Sequence, residues 1–158
     1  MIRYMKIMKL TIYDSKELNF VELNYTGSND TYIRCDKESK YIDSTVFNLF
    51  APCFESANKL YEYYGPTKYN ARKIIPLRNE LIKYLKKLQS LESLTKFKKL
   101  ISIHFLGKDF LEALGNDHPD WEKDWKSYLE KLISINKEII TLTEKCADEE
   151  KILWIVGY

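Results

Sequence analysis

The sequence predicts a mainly helical α+β fold, with four or five helices packed on a small antiparallel sheet. An N-terminal hairpin and a C-terminal strand supply that sheet. Three patterns predict it. Apolar residues alternate with period two near the start, step by four and three from Ser44 onward, and end in a β-branched run at 152–156. An all-α bundle is the alternative. A length of 158 residues suits one domain spanning 1–158, and 45% hydrophobic and 14% aromatic residues supply its core.

The strands come first. Residues 7–13 are rich in apolar and β-branched types. Val21, Leu23 and Tyr25 alternate with Glu22 and Asn24, the pattern of a strand with one wet face. The turn formers of 26–30 then predict a return strand over 31–35.

From Ser44 the period is helical. Val46, Phe50, Cys53, Ala57, Leu60 and Tyr64 share one face, Asp43 or Ser44 caps the start, and Gly65-Pro66 stops the end. Pro52 either kinks this helix or opens a second one. Pro76 is placed in the first turn of the next helix, whose inner face carries Ile74, Leu77, Leu81, Leu85 and Leu88. Asn79, Lys83, Lys86 and Lys87 lie opposite. A further helix starts at the Ser93 cap with His104 inward, breaks near Gly107, and restarts for one or two turns before Gly115. The longest pattern runs Trp121, Trp125, Tyr128, Leu132, Ile135, Ile139, Leu142 and Cys146, a heptad seam over one long helix. Leu129, Ile133 and Ile140 broaden it into a stripe suited to burial inside the chain, and monomer and homodimer both stay open.

Composition excludes much chemistry. Three cysteines lie far apart with no C-x-x-C, which is neither a disulfide framework nor a zinc site and suits a reducing compartment. The apolar stretches of 1–10 are interrupted by charge and lack a cleavage signature, so the expectation is a cytoplasmic protein with no membrane role. Two histidines, His104 and His118, belong to no metal-ligand spacing. Five glycines assemble no phosphate loop and no nucleophile elbow. The acids Asp120, Glu122 and Asp124 suit the start of a helix, where they complement its dipole. The expectation is a protein that is not an enzyme, with no catalytic residues, metal or cofactor.

One local pattern resembles a known family. Arg78-Asn79 on a helix resembles the R-N…H motif of HEPN ribonucleases, small helical bundles whose Arg and His act at a dimer seam. Lys83 or Tyr84 stands where that histidine belongs, so the resemblance implies at most a degenerate, non-catalytic relative.

Charge is the most informative feature. From Lys59 to Lys99 there are 11 Lys/Arg against three acids, a net of +8, and from Leu100 to Tyr158 there are 7 Lys against 12 acids, a net of −5. Within the basic part, tyrosines alternate with cations: Tyr64, Lys68, Tyr69, Arg72, Lys73 and then Arg78. Part of this charge can pair with the acidic helix inside the fold. The remainder predicts a partner-binding surface in which Arg72, Lys73 and Arg78 steer while Tyr64 and Tyr69 anchor. The expected partner is an acidic protein. This is the profile of small bacterial immunity and antitoxin-like proteins, for which that partner is a toxin domain. The alternative is an RNA- or DNA-binding accessory protein using the same patch; the pI of 8.3 lies below the range of dedicated nucleic-acid binders.

Overall fold

A computed structural model describes residues 8–17, 19–63, 65–104 and 106–157. Strands β1 (Phe20–Asn24), β2 (Lys40–Asp43), β3 (Thr67–Tyr69) and β4 (Leu153–Gly157) form an antiparallel sheet in the order β2-β1-β4-β3. Six α-helices accompany it among the described residues: α1 (Ser44–Phe47), α2 (Ala51–Ala57), α3 (Ala71–Gln89), α4 (Leu94–Ser102), α5 (Gly107–Asp117) and α6 (Trp125–Asp148). The architecture is α+β and 53% helical. No helix among the described residues is long and apolar enough to cross a membrane.

The sheet differs from the hairpin expected. β1 pairs with β2 rather than with 31–35, and Cys35 shows why: its φ of 53° is left-handed, which an extended strand excludes. The segment between β1 and β2 instead lies over one sheet face. The Trp154 indole donates to the Ser28 carbonyl (2.9 Å), and Asn24 Nδ2 donates to the Ile33 carbonyl (2.8 Å). Tyr32 packs on Trp154 with ring centroids 4.9 Å apart. Under this cover the supposedly wet face of β1 is dry. Glu22 and Asn24 are fully buried, and Glu22 accepts from the Ser39 hydroxyl (2.6 Å) and from Asn24 Nδ2 (3.1 Å). Such burial requires those hydrogen bonds. The early apolar stretch forms no strand over 8–13; Tyr13 makes an isolated bridge to Tyr41, and Ile7 lies outside the described residues.

β4 is central. It pairs with β1 through Leu23↔Ile155 and with β3 through Thr67↔Ile155, so the terminal apolar run joins the N-terminal strand as expected. Leu153, Trp154, Ile155 and Val156 are all buried, which a two-sided central strand requires.

The helices cover the other face. Asp43 caps α1 by accepting from Thr45 N (2.9 Å), and Pro52 sits in the first turn of α2, so it separates two helices rather than kinking one. That division raises the count above four or five. α3 starts earlier than expected because Asn70 caps it, which leaves Pro76 inside the helix. Ser93 caps α4 as expected. α5 opens at Gly107, where an added Cβ would lie 1.9 Å from the Ile101 carbonyl oxygen, and it runs past Gly115 to Asp117. The first turn of the long pattern tightens into a 3-10 helix, Trp121–Asp124, before α6. α6 makes its most extensive contact with α3. Leu132, Ile135 and Ile139 are buried there, so the broad stripe is spent within the chain.

Candidate functional site

The expected binding segment falls at the junction of β3 and α3. Alternation along β3 turns Thr67 and Tyr69 into the core and leaves Lys68 on the opposite face, in register with Trp154. Lys68 Nζ donates to the Asn29 carbonyl (2.7 Å) and lies 6.0 Å from the Trp154 ring centroid. One residue beyond the strand, the Asn70 side chain accepts from Arg72 N (3.2 Å) and starts α3. Lys68, Arg72 and Lys73 are thereby gathered within about one helical turn of Asn70.

The other three expected residues separate from this group. Tyr69 is fully buried, packs edge-on against Phe54 (5.5 Å), and donates its hydroxyl to the Phe54 carbonyl (2.6 Å). Burial pushes its phenol pKa well up. Tyr69 is a core residue, not a surface anchor, because the strand's parity points it inward. Arg78 reaches across to α6, its Nε 3.1 Å from Glu144 Oε1, so the internal pairing of basic with acidic helix holds at this position. Tyr64 lies outside the described residues.

Sequence reasoning missed Leu60. The helical period places it on an inward stripe, yet it is 80% exposed. The helical period stops applying at Ala57, because Asn58 is extended and ends α2. Asn58 then shapes the turn: its Oδ1 accepts from Leu60 N (3.0 Å) while its Nδ2 donates to the Lys68 carbonyl (3.1 Å). Leu60 is held out from the surface by a hydrogen-bonded turn tied to β3. Asn58 followed by charge was the available signal for that stop. A cleft of 260 Å³ lies here, with Leu60 and Pro66 beside Lys68, Lys73 and Trp154. On the far side of Asn70, a second cleft of 420 Å³ is lined by Arg72, Lys151 and Asn29.

Electrostatics favour an unspent positive surface. Of the 11 cations from Lys59 to Lys99, Arg78 pairs with Glu144, Lys98 with Glu122 and Lys83 with Glu80. Only the first two pairs reach the acidic C-terminal part. Lys59, Arg72 and Lys73 have no carboxylate partner among the described residues.

The titratable groups elsewhere serve local contacts. His104 is half-buried with Nε2 3.2 Å from the Tyr84 hydroxyl, and burial together with Lys87 lowers its pKa. His118 Nδ1 lies 3.0 Å from the Tyr128 hydroxyl. Burial pushes the Cys53 thiol up to about 12 and the Cys146 thiol up to about 11, which leaves both protonated and unreactive near neutrality. Among the described residues, no group of three or more His, Cys, Asp or Glu side chains is arranged to hold a metal ion.

The arrangement is a strand-to-helix corner with Lys68 and Lys73 in one cleft beside the exposed Leu60 and Arg72 in the next. Comparison with protein-family models, with curated proteins and with solved structures finds no match to this chain.

Proposed function

We propose that this chain is a non-catalytic binding module that docks an acidic protein surface at the β3–α3 corner. One observation carries the reading: Lys68 and Lys73 line a cleft beside the exposed Leu60, Arg72 follows across Asn70 in the neighbouring cleft, and neither Arg72 nor Lys73 has a carboxylate partner among the described residues. Cations of one sign steer a partner of the other sign, and a projecting aliphatic residue supplies the desolvated contact that gives a complex its lifetime. Arg72 and Lys73 steer, and Leu60 anchors. A cytoplasmic toxin domain with an acidic face is the specific partner this reading names, in the manner of immunity and antitoxin-like proteins.

The test is capture by the immobilised wild-type chain, compared with Leu60→Asp and with Arg72→Glu/Lys73→Glu. The expected result is an acidic protein retained by wild type and weakened about tenfold or more by either variant, with melting temperature held. Loss of stability without loss of capture shows the corner to be structural. A labelled single-stranded RNA bound with an affinity that falls steeply against log salt would replace this reading with the nucleic-acid one.

A further inference from the structure

A separate cleft of 380 Å³ lies between α6 and the β1–β2 edge, away from the β3–α3 corner. Its volume is within the range of small-molecule sites. Leu23 of β1, Tyr25 just after it, Ile12 from the segment before β1, and Leu142 of α6 make an apolar lining. Lysines surround that lining. Lys137 and Lys145 stand two turns apart on α6, about 12 Å along the helix axis, and Lys40 faces them from β2. Lys145 Nζ lies 5.2 Å from the Tyr25 ring centroid, which places one ammonium over the apolar wall.

The acids nearby cancel part of this charge: Asp14 is ion-paired with Lys40, and Glu138 is the one carboxylate among the lining residues. Lys137 and Lys145 have no carboxylate partner among the described residues. An arginine fork and a helix N-terminus, the usual grips on phosphate, are both missing from the lining, because α6 presents its middle here. An apolar trough with ammonium groups at its rim suits a single carboxylate on an apolar body.

We propose that this cleft binds a free amphipathic carboxylate, with the apolar chain against Ile12, Tyr25 and Leu142 and the carboxylate at the lysine rim. The site is independent of the β3–α3 corner.

Calorimetric titration with sodium dodecanoate, below its micelle concentration, tests this on the full chain. The expected result is saturable binding of one molecule per chain. Lys137→Gln/Lys145→Gln, at two exposed positions, should weaken it about tenfold, and dodecanol should bind about tenfold more weakly than the acid. Leu142→Trp, which fills the trough, should abolish it, whereas Arg72→Glu/Lys73→Glu should leave it unchanged. Absence of saturable binding overturns the proposal. Equal binding of dodecanol, or binding that survives both cleft variants, overturns it as well. Dodecyl phosphate binding more tightly than dodecanoate would overturn the assignment of a carboxylate.

Discussion

Asn136 sits fully buried on α6, and neither its amide nitrogen nor its oxygen has a hydrogen-bond partner among the described residues. An unbonded buried amide costs about 1–3 kcal/mol relative to a bonded one. Glu22 shows the contrast, since Ser39 and Asn24 both donate to it. Asn136→Leu, close in volume and apolar, should therefore raise stability by about 1 kcal/mol, read as a melting temperature higher by about 2–4 °C. A fall in melting temperature would mean that the amide makes a contact worth keeping. Sequence reading placed Ile135 and Ile139 inward but not Asn136 between them. The heptad count follows apolar residues only, and a buried polar residue is invisible to it.

At the scale of the element, α3 is the helix whose start was misjudged, and the reason bears on the binding corner. The sequence pattern places Pro76 in a first turn, but Asn70 caps the helix and the proline falls inside it. A proline there has no N–H for the Arg72 carbonyl, and its ring crowds that carbonyl. The first turn of α3, which carries Arg72 and Lys73, is held by the Asn70 side-chain cap and by the Lys73 and Ile74 N–H bonds to the Asn70 carbonyl, while Pro76 offers no donor to the Arg72 carbonyl. Pro76→Ala restores the missing donor at an exposed position and should raise stability by about 2 kcal/mol in denaturant titration. An unchanged or lower midpoint would show that the ring's restriction of the unfolded chain outweighs the missing bond. The stop of α2 at Asn58 is a similar case. Periodicity carried Leu60 inward, and a single side-chain cap turned it outward to the surface.

At the scale of the whole molecule, closure of the core around weak acids sets the alkaline limit. Cys53 and Cys146 are held protonated to about 12 and about 11, and Tyr41 to about 12, all chiefly by burial. In the unfolded chain the thiols ionise near pH 9 and the phenol near pH 10. Above pH 9 the native state therefore binds more protons than the unfolded one, and stability falls as pH rises. The expected result is a denaturation midpoint flat between about pH 7 and 9 and declining from there toward about pH 12, with a shallower early decline in Cys53→Ala/Cys146→Ala. A flat profile through pH 11 would mean that these groups ionise freely in the fold. By itself, the sequence determined the α+β class, the long α6 seam, the Ser93 cap and the sorting of charge, because local period and composition carry those signals along the chain. Tertiary structure decided the rest. β1 pairs with β2 and β4, and the segment between β1 and β2 folds over the sheet, so the alternation of Glu22 and Asn24 reads as wet when it is dry. Strand parity buried Tyr69, and a contact with α6 engaged Arg78. Which cations stay free and which tyrosines reach water depends on what packs opposite them, and that is a property of elements far apart in the chain.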